Sequence, residues 1–168
     1  MACACSTGSS ATITSRRDPR LGMTQVDFYH LTRDPVERAI PAIAARIVKD
    51  GGRLLVVGAE RSRLQAVSNA LWDAGAESYL AHDFDDQLLP EVQPILLSEG
   101  IAASNGARFV ALADGVWREE ALGFDRAFYF FDEATIEGAR AAWVALNKTD
   151  GLTVRFWKQD GGRWRQGP

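Results

Sequence analysis

Apolar residues along this chain recur in two rhythms, and each change of rhythm marks a boundary between elements. Residues 26–31 (VDFYHL) carry strand-forming side chains, and the Thr32-Arg33-Asp34-Pro35 that follows has turn chemistry. Over residues 35–49 the spacing of Ala39, Ile40, Ile43 and Ile47 is helical, with Pro35 suited to a first turn and Gly51-Gly52 to a C-terminal stop. Pro41 inside that segment predicts a late start or a kink, because its ring removes a donor from the helical ladder. Residues 53–59 (RLLVVGA) form an apolar run of buried-strand length. After them Leu64, Val67, Leu71 and Trp72 mark a helix over 60–74, stopped at Gly75. A short strand is expected at 78–82 (SYLAH), then an irregular acidic segment at 83–93. Further strands are expected at 94–97 (PILL), 108–113 (RFVALA) and 127–131 (AFYFF). Asp132 is placed to cap a helix over 135–146, and 152–159 reads as the last strand. Strands alternating with helices at this spacing predict an α/β fold: a single three-layer domain, its sheet mostly parallel with helices on both faces, Rossmann-like in layout.

Composition narrows the picture. The chain has 168 residues, 46% of them hydrophobic, enough for one ordinary core, which we assign to residues 23–165. Residues 1–22 hold seven Ser/Thr, three Arg and one acid, so they are expected to form a disordered extension, mis-assigned or dispensable, with Met23 as the true start, a targeting role for this arm being the weaker alternative. This extension lacks the apolar core of a secretory signal. It also contains both cysteines, Cys3 and Cys5, which argues against a disulfide scaffold or a zinc site in the body and suits a reducing cytoplasm. His30 and His82 are the only histidines, so no metal centre is expected. No apolar run approaches the roughly 20 residues of a membrane helix. A net charge of −3 weighs against broad duplex binding.

That charge is unevenly spread. From Arg140 onward there are six basic residues against two acids, whereas between Met23 and Ala139 there are ten basic and nineteen acidic ones. A cationic, tryptophan-rich end on an anionic body suits an acidic ligand with an apolar anchor. On the last helix Ala139, Ala142 and Leu146 fall on the core face, and Ile136, Arg140, Trp143 and Asn147 on a neighbouring strip. Arg140 beside Trp143 can hold a carboxylate while an apolar group fills the adjoining hollow. The plainer reading is that Trp143 caps the core and Arg140 covers it. Lys148 ends the same helix, where the helix dipole favours a cation without any ligand. On the last strand, alternation puts Arg155 and Trp157 on one face and Leu152, Val154 and Phe156 on the other. Trp72 and Tyr79 read either as partly core or as an interface anchor.

Enzyme and nucleotide signatures are missing. LLVVGAERSR passes from strand to helix where Rossmann-like folds bind phosphate, but Gly58 is the only glycine of that turn and no phosphate-loop motif occurs. There is no nucleophile elbow, and neither histidine has an evident nucleophile partner.

Seven short segments, taken in order, resemble the chi subunit of bacterial DNA polymerase III. They are FYHL at 28–31, ALW at 70–72, SYLAH at 78–82, QPILLS at 93–98, NGA at 105–107, AR..W at 139–143 and FWKQ..GRW at 156–164. The resemblance implies a nucleotide-binding type of fold without nucleotide, cofactor or catalysis. It implies a cytoplasmic accessory of the clamp loader within the nucleoid-associated replisome. Two partners are implied: the small psi subunit, and the acidic, phenylalanine-ending C-terminal tail of single-stranded-DNA-binding protein. Carried over by position, Arg140 grips the tail's terminal carboxylate, Trp143 is the neighbouring aromatic, Phe131 walls the pocket, and Trp72 and Tyr79 face psi. Two positions depart from the family pattern. Val144 stands where a basic residue is frequent, with Lys148 one turn later as the expected substitute, and Ala81 stands where the psi-facing motif has proline. The alternatives are direct single-strand binding by the C-terminal Arg/Trp patch and a nucleotide-binding enzyme on the same fold.

Overall fold

The computed structural model describes residues 24–74, 79–161 and 163–167. The extension at 1–22, Met23 and Gly75 lie outside them. The described elements run β1 (Thr24–His30), α1 (Val36–Lys49), β2 (Leu54–Val57), α2 (Arg61–Asp73), β3 (His82–Phe84), β4 (Ile95–Ser98), β5 (Phe109–Leu112), β6 (Arg126–Phe131), α3 (Ile136–Asn147), β7 (Leu152–Asp160) and β8 (Arg163–Gln166). Short 3-10 turns sit at Pro90–Val92 and Glu119–Gly123. The eight strands form one sheet in the order β3-β4-β2-β5-β6-β1-β7-β8. Every pairing is parallel except that of β7 with β8, which is antiparallel.

Parallel strands need crossovers, and these divide the core into two layers. On one face α1 buries Ile40 and Ala44, and α2 buries Leu64, Val67 and Leu71, against Leu54, Val56, Ile95, Leu97, Phe128 and Phe130. The other face carries α3 and the loops after β4 and β5, packed on Leu55, Val57, Leu96, Val110, Leu112 and Tyr129. Odd and even positions of each central strand thus point into different layers, which is why these strands read as unbroken apolar runs rather than alternating ones. The expected three-layer α/β domain is the observed one.

Local chemistry accounts for most boundaries. After α1, Gly51 (φ +76°) and Gly52 donate to the carbonyls of Val48 and Ile47, the paired bonds of a Schellman stop. The helix runs through Pro41 from Val36, so it does not start late. Buried Asn105 donates to the carbonyls of Leu54 and Gln93 and accepts from the Ala107 amide. The Asn-Gly-Ala segment is therefore a staple for the β4–β5 crossover. Two expectations fail. The third strand lies at His82–Phe84 rather than over 78–82, of which Ser78 is outside the described residues, because His82 and Phe84 are the inward residues and Asp83 between them breaks the apolar run. β8 was not anticipated. Its sequence, RWRQ, offers one apolar residue, and the strand forms by hairpin pairing with β7.

Candidate functional site

α3 crosses the sheet above β1, β6 and β7, and beside it opens a cavity of about 550 Å³. Phe28, Phe131 and Phe156, one from each of three adjacent strands, line it beneath, and Ile136, Ala139, Trp143 and Val144 line it from the helix. Strand alternation brings the three phenylalanines to one face. They pack with Trp143, whose ring meets Phe28 edge-on at 5.2 Å and Phe156 edge-on at 6.0 Å. The buried residues of α3 are Ala139, Ala142 and Leu146, the face the helical spacing indicated. Small Ala139 and Ala142 hold the helix close to the sheet, and the one-turn neighbours Arg140 and Trp143 are left at the groove edge.

Arg140 is the cation in the cavity lining. Its side chain is 67% exposed and bonds Glu137 one turn back at 3.0 Å, a solvent-exposed pair that a stronger anion can displace. At the strand end of the cavity, His30 is 8% exposed and stacks flat on Phe131 at 5.0 Å. Its Nε2 lies 3.2 Å from Glu133 Oε1, yet it is a buried atom with no hydrogen bond of acceptable geometry. An apolar hollow with an arginine at the rim and an unpaired imidazole nitrogen at one end can take a flat or branched apolar group attached to an anion.

The sequence-derived residues divide accordingly. Phe131, Arg140 and Trp143 converge on this cavity, with Val144 beside them. Lys148 does not line it, because it is the C-cap of α3, two turns beyond Arg140. Phe28, His30 and Phe156 were read only as strand residues, although FYHL and FWKQ carried the signal that could have found them. Trp72 and Tyr79 lie at the far edge of the sheet and are 62% and 81% exposed. Trp72 packs on His82 at 4.7 Å, and His82 is fixed by Ser68 Oγ at 2.9 Å and the Leu80 carbonyl at 2.7 Å. His82 is thus a structural histidine that orients an exposed indole.

At the strand-to-helix turn after β2, where a phosphate would sit in a nucleotide-binding relative of this layout, the Ala59 amide donates to Asp114 Oδ2 at 2.9 Å. Asp114 is held by two bonds from Arg118, at 2.9 and 2.6 Å, and by the Val116 amide. Burial pushes its carboxyl up, but the Arg118 and amide bonds outweigh this and hold it below the usual carboxylate range. Gly58 serves packing, since a Cβ there would lie 3.2 Å from Leu64. A protein carboxylate therefore occupies the anion position of the turn. Among the described residues no group of three or more His, Cys, Asp or Glu is placed to hold a metal, and no helix is long and apolar enough to cross a membrane.

The C-terminal arginines and tryptophans do not form one patch. Arg155, Trp157 and Trp164 line a groove on the α1 side of the sheet, whereas Arg140 and Trp143 belong to the α3 side. In Trp157 the indole N–H is committed to buried Asp27 at 3.0 Å, a carboxylate also bonded by Arg126 and Gln25. No curated protein matches this sequence. The family model described as DNA polymerase III chi subunit, HolC, matches residues 23–154, and the chain belongs to that family, whose members are accessory subunits of the DNA polymerase III complex.

Proposed function

We propose that this chain tethers the replicative polymerase assembly to protein-coated single strands by binding the acidic, phenylalanine-ending C-terminal tail of single-stranded-DNA-binding protein in the α3 cavity. The observation that carries the reading is the cavity itself: three phenylalanines and Trp143 line an open apolar hollow with Arg140 at its rim. A terminal phenyl ring fills the hollow, and its α-carboxylate takes the guanidinium from Glu137. Phe131 and Trp143 wall the anchor, and Lys148 acts on the tail only at a distance, as an exposed charge. The second contact is with psi, where that subunit exists, through exposed Trp72 and Tyr79 at the β3 edge. The role is non-catalytic and belongs to the clamp loader.

The test is calorimetric titration of the full chain with an acidic peptide ending in phenylalanine, beside the same peptide amidated at its C-terminus. The expected result is roughly micromolar binding, about −8 kcal/mol, abolished by amidation. Equal binding of both peptides, or of neither, overturns the carboxylate clamp. Direct single-strand binding is the weaker reading, because the Arg/Trp residues it requires are divided between two faces.

A further inference from the structure

Three directions from the cavity can be compared as routes for the acidic residues that precede the anchored terminus, and the charges along them differ. Toward the N-terminus of α3 lie Asp132, Glu133 and Glu137, which repel an acidic chain. Toward its C-terminus lie exposed Val144, then Asn147, Lys148 and Asp150, which cancel in charge. The third route passes over His30, where the exposed Glu133 side chain is the acid to be displaced, onto the β7–β8 hairpin. His30 pairs in register with Lys158, and Lys158 follows cavity-lining Phe156 by two positions, so both point to the cavity side of the sheet. Across the hairpin Lys158 opposes Arg165, and Asp160 opposes Arg163, which places three cations and one acid on that same face. Only Arg165 is tied, to Asp160 at 2.9 Å and in solvent; Lys158 and Arg163 have no ion-pair partner among the described residues.

Resting on the reading that the cavity holds the carboxyl-terminal anchor, we infer that the acidic segment of the ligand peptide leaves over His30 and lies along the β7–β8 hairpin on Lys158, Arg163 and Arg165. This replaces the basic position lost at Val144, and it does so from a strand instead of from α3. His30 supports the path. Its buried Nε2 faces exposed Glu133 at 3.2 Å without a hydrogen bond of acceptable geometry, so once that carboxylate swings into solvent the nitrogen can take a partner from the peptide backbone crossing to the hairpin.

The experiment compares two free-acid peptides, a long one with acidic residues upstream of the terminal phenylalanine and a short one with neutral residues there. They are titrated into the wild type, the triple variant Lys158→Gln/Arg163→Gln/Arg165→Gln, and Lys148→Gln, with circular dichroism to confirm that each is folded. In the triple variant the long peptide is expected to bind about five- to tenfold more weakly and with a flatter salt dependence, as for exposed ion pairs. The short peptide should be unaffected, and Lys148→Gln should weaken the long peptide less than about twofold, the effect of one distant exposed charge. Equal loss of both peptides in the triple variant, no loss of the long one, or a comparable loss in Lys148→Gln overturns the path. If a thymidine oligonucleotide binds the wild type more tightly than the long peptide and only the triple variant loses it, the hairpin belongs to nucleic acid. Failure of the wild type to bind either peptide removes the cavity reading itself, and the path with it.

Discussion

Arg140 is held by Glu137 before any ligand arrives, and that competition can be measured. The two side chains are 67% and 85% exposed at 3.0 Å, so their pair contributes about 0.3–0.5 kcal/mol in a helix at i, i+3. A carboxylate bound by two charge-assisted bonds at the cavity mouth, partly screened from water by Trp143 and Val144, contributes about 1.5–3 kcal/mol. Arg140→Ala is therefore expected to weaken peptide binding roughly 10- to 100-fold. Glu137→Gln, which frees the guanidinium, should strengthen binding about twofold. In the Arg140→Ala background the Glu137→Gln gain should shrink to the share that comes from removing one exposed like charge, and an amidated peptide should show no measurable binding to either parent of the cycle. Calorimetry on the four proteins reads all of these terms. If Arg140→Ala binds the acid peptide as wild type does, or if Glu137→Gln strengthens binding equally without Arg140, the carboxylate does not sit on this arginine.

Four further outcomes follow from the fold. Asp114→Ala leaves the Ala59 and Val116 amides without their acceptor and Arg118 with only the Val116 carbonyl, and a urea titration should show a loss of about 1–3 kcal/mol, as for a partly buried network. Because the Asp114 carboxyl is held low in the folded state, its contribution is present above the unfolded carboxylate range and is lost as pH falls through the folded value, a loss absent from an Asp114→Asn acid titration. Burial pushes the Tyr29 and Tyr129 phenols up to about 12, so stability is full below pH ~10 and declines as pH rises through 12; phenolate absorbance should show these two ionising only as the protein unfolds. Gly115 has φ +74° and its missing Cβ would lie 2.5 Å from Thr135 Oγ1, so Gly115→Ala should cost at least about 1–2 kcal/mol in thermal or denaturant melts.

The parts of this molecule that repeat a period were legible, and the parts set by register were not. Leu64, Val67 and Leu71, or Ala139, Ala142 and Leu146, announce a buried helix face because 3.6-residue spacing survives in sequence. The central strands announce themselves as apolar runs. β3 and β8 do not, because each is short and shields little, and each exists through its pairing with a longer neighbour. The cavity shows the same division. Arg140 and Trp143 are neighbours on one helix and could be paired by counting. Phe28, Phe131 and Phe156 meet only because β6, β1 and β7 are adjacent in the sheet, and no spacing along the chain encodes that adjacency. The apparent C-terminal patch divides for the same reason: alternation puts Arg155 and Trp157 on one face of β7, but only the packing of α3 on the other face separates them from Arg140 and Trp143.

The separation of the two aromatic sites bears on what the molecule can do as a connector. The cavity lies over β1 and its neighbours on the α3 side, and Trp72 lies on α2 beyond β3, on the opposite face. β3 and β1 are five strand spacings apart, about 24 Å. The anchored end of a peptide in the cavity does not reach Trp72. The sheet between them is buried on both faces, and a packed core of this kind deforms little. Under the proposed reading the two partners then bind independently, and the benefit of holding both comes from effective concentration: many tails on a coated strand lie near one tethered chain, and release of one is followed by capture of the next. That benefit requires the tail contact to be weak and fast. A shallow, open cavity with one exposed arginine meets this requirement, whereas an enclosed, fully desolvated clamp would not.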